Sequence, residues 1–345
     1  MKPQFEVTIG IPVYRSVKYI EVSLLSALNQ TFQDIEYLIV DDDGNDGSKD
    51  IIFKLQRNHP RGGDIRIIAN DKNMGVSFSR NRIIDEAKGR FLYFMDSDDT
   101  IEPDTIQLLY DSLTFNHSQI AFGSYEIIDD INHNPSEVYQ KDALVLNGAD
   151  QLAMYAFKNN NIFHVSVCNH LIDILFLRQL GLKFINSSYW EDLDYITDLV
   201  INVERAALLS NITYHYYRHS DSLSHYQSRH ILGKDEIDRN LFVLRRVKRR
   251  CKDLKGKQYI PYLCYNLEMI SFYAACNIIH NYHSIFPRFT FSEIRDVMRH
   301  PMSLKDIINC KSKKIVNLLF WLLGISPIAF FLPIIWTIGK YKRSL

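Results

Sequence analysis

Short apolar segments alternate with helix-like segments over the first 125 residues, and this alternation constrains the fold more than any other feature. Strands are predicted at residues 7–11, 37–40, 65–69 and 91–95. Helices are predicted at 18–30, from a cap at Ser48 onward, and at 76–88 with Gly89 as its stop. Apolar runs of four or five residues indicate buried strands, and the 3.6-residue periodicity between them indicates helices. Strands that alternate with such helices form βαβ units with a largely parallel sheet, so we predict an α/β fold.

Three of these predicted strands end in chemically informative residues. Pro12 and Tyr14 follow the first strand, Asp41 and Asp42 follow the second, and an acidic cluster at 96–99 follows the fourth. Because the carboxyl ends of parallel strands meet at one sheet edge, where α/β proteins bind ligands, we expect the three groups to converge. Clustered carboxylates favour a hard divalent cation and a phosphate-bearing substrate, and a solvated turn that caps the next helix is the alternative.

Composition places the chain among globular proteins. Apolar residues make up 46% and charged residues 23% of the 345 residues, enough for one large domain or two ordinary ones. The five cysteines include no C-x-x-C pair, so neither a zinc site nor a disulfide framework is indicated. No G-x-G-x-x-G or Walker motif follows a predicted strand, which argues against dinucleotide-dependent oxidoreductases and P-loop NTPases. The N-terminus lacks the apolar core of a signal peptide, so we expect the catalytic part in the cytoplasm.

The zero net charge hides an asymmetry between the two parts of the chain. Residues 1–230 hold 20 Lys and Arg against 32 Asp and Glu, whereas residues 231–345 hold 20 against 8. The basic run RRVKRR at 245–250 is either one solvated helix face or a patch that meets an anionic membrane or a polyphosphate. No nucleic-acid partner is predicted.

Four segments in order resemble the motifs of family 2 glycosyltransferases. They are IPVY at 11–14, VDDDGNDGS at 40–48, NMGVSFSRN at 73–81 and MDSDD at 95–99, followed more thinly by WED at 190–192 and YHYYR at 214–218. The resemblance implies a GT-A (Rossmann-like) nucleotide-sugar-binding domain and an inverting transferase of the bacterial polysaccharide-biosynthesis type. It also implies a nucleotide-sugar donor, expected to be a UDP-sugar, and Mn²⁺ or Mg²⁺. Arg15 and Asp43 depart from the family, which often has Asn at the first position and usually has Gly at the second. Because of Arg15, the identity of the nucleotide base or of the sugar stays open.

By this resemblance, the acidic cluster is a metal site. Asp98 is the expected ligand and Asp96 lies near the ribose and the metal, whereas Asp99 either orients them or caps the next helix. A metal held by one or two carboxylates and two phosphate oxygens neutralises the departing diphosphate. Arg80 is expected to steady the diphosphate or the acidic cluster, and a surface helix arginine is the alternative.

The ends of the first two strands supply the nucleotide pocket that the resemblance implies. Asp42, with Asp41 beside it, is expected to accept hydrogen bonds from the base. Tyr14 is expected to stack on that base, and Pro12 to shape the pocket. A partly exposed core aromatic is the alternative for Tyr14.

Inversion in a single displacement needs a base that takes the proton of the acceptor hydroxyl. The resemblance makes Asp192 this base and Glu191 its orienter or an acceptor contact, with Asp194 as a substitute. Trp190 is a candidate acceptor platform, because an aromatic face suits the apolar face of a sugar ring. Carboxylates in a first helical turn are also ordinary partners of the helix dipole, which is the alternative.

A polar, Ser-rich loop follows the predicted aromatic strand at 214–217. It resembles the family's segment that closes on the donor diphosphate, and Arg218 is the expected contact, ahead of His219 and His225. A surface loop without a ligand is the alternative.

The C-terminal tail contains no charge over the 24 positions from 315 to 338, and lysines flank it on both sides. Its length permits a transmembrane helix, but Gly324, Pro327 and Pro333 argue against a smooth one. We predict two short helices, the second beginning at Ser326-Pro327, that lie in the cytoplasmic face of an anionic plasma membrane. A single span and a buried core or dimer helix are the alternatives.

These observations predict three regions and one activity. The GT-A domain covers residues 1–225, with a nucleotide-sugar half at 1–125 and an acceptor half at 126–225; a basic helical region covers 226–310, and an apolar membrane-associating tail covers 311–345. The predicted activity is sugar transfer to a glycan or a lipid-diphosphate-linked acceptor in cell-surface polysaccharide synthesis. There are two alternatives. One is a sugar nucleotidyltransferase, which would need a triphosphate loop that the sequence does not show. The other is a non-catalytic, membrane-docked carbohydrate-binding protein.

Overall fold

The computed structural model describes residues 3–129, 135–158, 167–187, 190–219 and 232–341. The strands are β1 (Phe5–Val13), β2 (Ile35–Asp41), β3 (Ile65–Ala69), β4 (Gly89–Phe94), β5 (Thr100–Ile101), β6 (Ile120–Asp129), β7 (Pro135–Tyr139), β8 (Leu144–Asn147), β9 (His170–Asp173), β10 (Arg205–Arg218), β11 (Leu232–Gly233) and β12 (Ile285–Phe286). The helices are α1 (Ile20–Leu28), α2 (Ser48–Asn58), α3 (Val76–Glu86), α4 (Thr105–Phe115), α5 (Gln151–Lys158), α6 (Ile174–Leu180), α7 (Glu191–Asn202), α8 (Lys234–Arg250), α9 (Ile260–His280), α10 (Phe291–Val297), α11 (Leu304–Ile308), α12 (Lys314–Ile325) and α13 (Ile328–Tyr341).

A ten-stranded mixed sheet organises the N-terminal part of the chain. Its order is β3-β2-β1-β4-β9-β6-β10-β5, with β7 added to β6 and β8 to β10. β3, β2, β1 and β4 run parallel, while β9 is antiparallel to both of its neighbours, β4 and β6. Every residue of β2 is buried, including the apolar run at 37–40 that predicted a buried strand. The α/β prediction is therefore confirmed, and the parallel half of the sheet aligns the carboxyl ends of four strands.

Two sequence predictions about where elements end are wrong: one concerns the end of the first strand, and the other the end of the helix before β4. β1 does not end at Pro12; it continues to Val13, and Pro12 pairs with Val40 of β2. Gly89 does not terminate a helix but begins β4, where a Cβ atom would lie 2.5 Å from the backbone nitrogen of Thr8. Both differences arise from tertiary contact between strands, which local propensity does not contain.

The loop between β2 and α2 is tied to the loop after β1. Ser48, predicted as the cap of α2, is instead its first residue, and Gly47 occupies the cap position with a φ of 94°. The Asp46 carboxylate accepts hydrogen bonds from the Ser48 nitrogen at 3.1 Å and from the Val17 nitrogen at 2.9 Å. These bonds hold together two of the loops at the sheet edge.

The chain divides into two compact units. The first contains Met1–Leu152, His164–Asn186 and Tyr195–Ser222, and thus the large sheet. The second contains Ala153–Phe163, Ser187–Asp194 and Leu223–Leu345. The boundaries predicted at residues 225 and 310 stay predictions.

Helix α9 is the centre of the second unit. Its apolar residues are buried along most of its length, and α8, α10, α12 and α13 pack against it. A buried ion pair joins α8 to α9, with Lys248 Nζ 2.7 Å from Glu268 Oε1. The prediction of a helical C-terminal region is confirmed for the described residues.

The uncharged tail folds as two helices, as predicted. α12 ends at Ile325, and α13 begins just after Pro327. On α13, Phe331 and Ile335 are fully buried, whereas Phe330 is 67% exposed. Among the helices that the structure describes, none combines the length and apolar character needed to cross a membrane.

Candidate active site

Adjacent parallel strands bring the ends of β1, β2 and β4 to one edge of the sheet. The Asp42 nitrogen donates to the Val13 carbonyl at 2.9 Å, and the Met95 nitrogen donates to the Gly10 carbonyl at 3.1 Å. The predicted convergence of these strand ends is therefore confirmed. Tyr14 follows the end of β1 and is 41% exposed.

Residues next to Tyr14 complete the end of β1. Pro12 is half-buried within the strand. Arg15 adopts a φ of 52°, and its guanidinium carbon lies 5.2 Å from the centroid of the Tyr14 ring. Gly44 packs so close to this turn that a Cβ atom would lie 2.6 Å from the Arg15 nitrogen. The family departure at Arg15 thus sits on the aromatic ring that we expect to stack on the base.

Serine hydroxyls join the three strand ends. The Ser16 nitrogen donates to Ser48 Oγ at 3.0 Å, and the hydroxyls of Ser16 and Ser97 lie 2.6 Å apart. Ser97 separates Asp96 from Asp98 in the acidic cluster. Sequence reasoning missed Ser16, since nothing local distinguishes it from an ordinary loop serine.

Asp42 is buried, and its carboxylate organises the loop before α3. Oδ1 accepts hydrogen bonds from the Asn70 amide at 2.7 Å and from the Met74 nitrogen at 2.8 Å, and Oδ2 accepts one from the Gly75 nitrogen at 2.8 Å. Asp41 lies 3.4 Å from Lys49 Nζ. Asp42 therefore fixes the loop before α3, and its predicted contact with a nucleotide base stays a prediction.

In the acidic cluster, Asp96 contacts Arg80, and Asp98 is half-buried. Asp96 Oδ1 lies 3.0 Å from Arg80 Nη2, and the buried Arg80 guanidinium also lies 5.5 Å from the Phe184 ring centroid. Burial and the charge of Asp96 raise the pKa of the half-buried Asp98 to about 6, against opposing effects of His219 and Arg80. Negative charge at Asp98 is thus unfavourable without a nearby cation.

Asp99 belongs to the same cluster but has a different environment. It is buried, its Oδ2 accepts a hydrogen bond from the Tyr214 hydroxyl at 2.6 Å, and its Oδ1 accepts one from the Tyr217 nitrogen at 2.9 Å. Burial, followed by the charges of Asp98 and Asp96, raises its pKa well above the usual range. α4 begins at Thr105 with Asp104 at its cap position, so Asp99 does not cap that helix. It fixes β10 against the cluster.

Asp96 and Asp98 are the carboxylates of this edge that fit a divalent metal. Within the described ranges, no group of three or more His, Cys, Asp or Glu side chains is arranged to hold one. Mg²⁺ and Mn²⁺ are commonly bound by one or two carboxylates together with substrate phosphates, so two carboxylates suffice when a diphosphate completes the site. The raised pKa of Asp98 is consistent with such a site, because a cation would relieve the charge repulsion.

Arg218 and His219 stand at the end of β10 and directly after it. The Arg218 guanidinium lies 2.8 Å from Glu137 and 3.9 Å from Asp129, on β7 and β6. The His219 ring is buried and stacks on Tyr19, with ring centroids 3.9 Å apart. His225, the weakest candidate, lies outside the described residues. Diphosphate contacts by Arg218 and His219 stay predictions.

The predicted base lies in the second unit. Glu191 and Asp192 form the first turn of α7; Glu191 is buried, Asp192 is half-buried, and Trp190 precedes them with a φ of 62°. Asp194 is buried, and both its oxygens lie 3.1 Å from Arg246 Nε. Because Asp194 is held in this ion pair, the substitute role that we considered for it does not suit its surroundings.

Comparison with known proteins identifies relatives of this chain. Residues 8–181 match the family described as Glycosyl transferase family 2, about half of the chain. A cholesterol galactosyltransferase of Borreliella burgdorferi is 25% identical over 274 residues, which are 75% of this chain and 74% of that protein. A chondroitin synthase of Pasteurella multocida is 39% identical over 102 residues, 30% of this chain but 10% of that much longer protein.

Solved structures share the fold. The crystal structure of S. aureus TarS 1–349 in complex with UDP-GlcNAc has a TM-score of 0.69 at 16% identity, covering 98% of this chain and 92% of that one. The same TarS fragment in complex with UDP has a TM-score of 0.55 at 17% identity. At these identities the likeness concerns the fold, and it confirms a mixed α/β architecture of the GT-A type followed by a helical C-terminal region.

Proposed function

Because this chain belongs to glycosyl transferase family 2 and is a glycosyltransferase, we propose that it acts in polysaccharide or glycan synthesis and transfers a sugar from a nucleoside diphosphate donor with inversion and with the help of a divalent metal. The observation that carries the proposal is the convergence of Tyr14, Arg80, Asp96 and Asp98 at one sheet edge. An aromatic face, an arginine and paired carboxylates are the groups that a base, a diphosphate and its metal require.

The donor that we propose is a uridine diphosphate sugar. UDP-GlcNAc and UDP are the ligands of TarS in the structures with the same fold. In this chain, Tyr14 would stack on the uracil and the Asp42-supported loop would form the pocket wall. Asp98 and Asp96 would hold the metal, which neutralises the charge of the departing diphosphate. Arg80, already next to Asp96, fixes that carboxylate in place.

We propose that Asp192 is the base and that the acceptor is a glycan or a lipid-linked saccharide. In a single displacement, the acceptor oxygen attacks the anomeric carbon while the bond to the diphosphate breaks, and Asp192 takes the hydroxyl proton. Glu191 precedes Asp192 in the sequence and is buried, and we propose that it orients either Asp192 or the acceptor. Membership of the family sets aside the nucleotidyltransferase and non-catalytic alternatives.

Donor hydrolysis by the purified protein tests this proposal directly. Incubation with a panel of nucleotide sugars and Mn²⁺ should release nucleoside diphosphate from one of them, and excess chelator should stop the release. Asp98→Asn should abolish the effect of Mn²⁺ on UDP affinity measured by calorimetry, because one carboxylate ligand is lost. Asp111→Asn, which removes an exposed carboxylate on α4, is the matched control and should behave as wild type. Full turnover in chelator would refute the metal assignment.

We further propose that α12 and α13 dock on the anionic, cytoplasmic face of the plasma membrane. Ile315, Leu319, Leu322 and Ile325 follow one another at three- and four-residue spacings on α12, and all are exposed. An exposed helix face composed of large apolar residues, with Lys311, Lys313 and Lys314 at its start, is typical of an interfacial helix. Docking there would bring the enzyme to a lipid-linked acceptor.

A further inference from the structure

The exposed face of α8 combines arginines with an aromatic ring. Phe242, Arg245, Arg246 and Arg249 recur at three- and four-residue spacings and so share one side of the helix, here called the α8 basic face. Phe242 is 55% exposed and the Arg246 side chain 47% exposed. An exposed aromatic ring next to arginines on one helix face can offer both apolar surface and positive charge to the same ligand.

Part of the positive charge on this face is not compensated. Arg245 lies 4.0 Å from Asp238, and Arg246 donates through Nε to Asp194. Arg249 is exposed and forms no ion pair with a carboxylate of the described residues. The outer part of the face therefore offers guanidinium groups, which form bidentate hydrogen bonds with phosphates and carboxylates.

The location of the face connects it to the predicted chemistry. Asp194 is buried and is held by Arg246 and also by Arg250, whose Nη1 lies 3.3 Å from Asp194 Oδ1. Asp194 stands in the first turn of α7, two residues after Asp192. The α8 basic face is thus attached to the helical turn that carries the proposed base, within the same unit.

We propose that the α8 basic face binds the acceptor and that this acceptor is an anionic glycan. Its phosphate or carboxylate groups pair with Arg246 and Arg249, and one of its sugar rings packs on Phe242. The inference rests on the proposed function, since it assigns the substrate class of the site at Asp192. An anionic membrane is the competing partner for such a face, but the connection to the first turn of α7 favours the substrate, and the apolar face of α12 is the better suited to lipid.

Binding of model glycans to the full-length protein, without donor, tests the proposal. The probes are a glycerol phosphate oligomer, a hyaluronan oligosaccharide and an uncharged maltooligosaccharide of similar length. The two anionic probes should bind more tightly than the neutral one. Arg249→Glu should weaken the tighter interaction by about tenfold or more, because a charged hydrogen bond contributes about 1.5–3 kcal/mol. The ratio of the affinities for the phosphate-bearing and carboxylate-bearing probes identifies the preferred anionic group.

Controls separate this result from a structural defect and from membrane binding. Arg299→Glu makes the same charge change on a side chain that is 85% exposed, and it should leave glycan affinity unchanged. Thermal melting should show that both variants fold. Equal affinity for the anionic and neutral glycans would overturn the proposal, as would Arg249-dependent binding to phosphatidylglycerol vesicles without glycan binding. Because no donor is present, a failed hydrolysis assay and a failed glycan assay are independent results.

Discussion

Asp192 and Asp194 stand two residues apart on α7 in different surroundings, and this difference gives a prediction for the base. Asp194 is buried against Arg246 and Arg250, whereas Asp192 is half-buried. Asp192→Asn should lower turnover by about two to four powers of ten, the range for losing a general base, and spare UDP binding. Single-turnover kinetics and calorimetry measure the two effects. Near-normal turnover in this variant would transfer the role to Glu191.

The Asp194→Asn variant is the companion test of positioning. Loss of the Asp194 carboxylate charge should loosen the first turn of α7, because Arg246 and Arg250 then face a neutral amide. We expect reduced turnover together with a lower thermal midpoint, and a larger drop in the midpoint than Asp192→Asn causes, because Asp194 is buried and held by two arginines. The same melting curve for both variants would contradict the division between a base and an anchor.

His170 provides a prediction about pH and stability. It lies fully buried on β9, and burial, followed by the charge of Lys141, lowers its pKa from 6.5 to about 3. The unfolded chain binds a proton near pH 6.5 and the folded chain does not, so stability falls as the pH drops below 6.5. Between pH 7 and pH 5, wild type should lose about 2 kcal/mol more unfolding free energy than His170→Gln. Urea unfolding at both pH values measures this difference, and equal losses would contradict it.

At the residue scale, the sequence locates acidic clusters but does not show which carboxylate has which role. Asp96, Asp98 and Asp99 are chemically alike in the sequence, and their position after a predicted strand was enough to place them at the carboxyl edge of the sheet. Their different environments come from Arg80 and from Tyr214, which lies more than a hundred positions along the chain. Such contacts depend on strand pairing across the sheet, which local sequence patterns do not encode.

Among the helices, the buried pair between α8 and α9 gives a prediction about stability. Lys248 also donates to the Val297 carbonyl at 2.9 Å, and Glu268 is fully buried. Glu268→Ala should destabilise the second unit by about 3–5 kcal/mol, since it leaves a buried ammonium without its counter-charge. The double variant Lys248→Met with Glu268→Leu should recover most of that loss. Urea unfolding monitored by circular dichroism measures the free energy of unfolding of both variants. A small loss of this free energy in Glu268→Ala alone would show that the pair is dispensable.

At the element scale, predictions succeeded where the signal is local. β3 was predicted with its observed bounds, and the break at Ser326-Pro327 correctly separated α12 from α13. The antiparallel insertion of β9 between β4 and β6 was not predicted, because its four residues carry no pattern that specifies their neighbours. Gly89 was misassigned because close approach of β1, rather than helix termination, requires a glycine there.

For the molecule as a whole, the family resemblance specified more than physical pattern alone. Alternating strands and helices predict an α/β sheet, but they do not distinguish a glycosyltransferase from other phosphate-binding folds. The ordered motifs over residues 5–125 made that distinction, and the match to residues 8–181 confirms it. The placement of Ala153–Phe163 and Ser187–Asp194 in the second unit, so that α7 is divided between the units after Asp194, has no counterpart in the sequence pattern.

The exposed apolar face of α12 gives the final prediction, on membrane binding by the whole protein. Ile315 is 73%, Leu319 60% and Leu322 47% exposed. Replacing all three with Ser should abolish co-sedimentation with vesicles that contain phosphatidylglycerol, because burial of each large apolar side chain contributes about 1.5–3 kcal/mol. Phe115→Ser, which removes an 86% exposed ring from α4, is the matched control and should bind as wild type.

Substitution is a sharper test here than removal of residues 311–345. α12 and α13 also pack on α9: Asn317 is fully buried and donates to the Pro261 carbonyl at 2.9 Å, and Phe331 and Ile335 are fully buried. Truncation would therefore uncover the centre of the second unit, and its aggregation would say nothing about lipid. For wild type, added salt should weaken binding without ending it, since each nearby lysine contributes about 1 kcal/mol that salt screens and the apolar contribution persists. Unchanged vesicle binding by the triple variant would refute docking through α12.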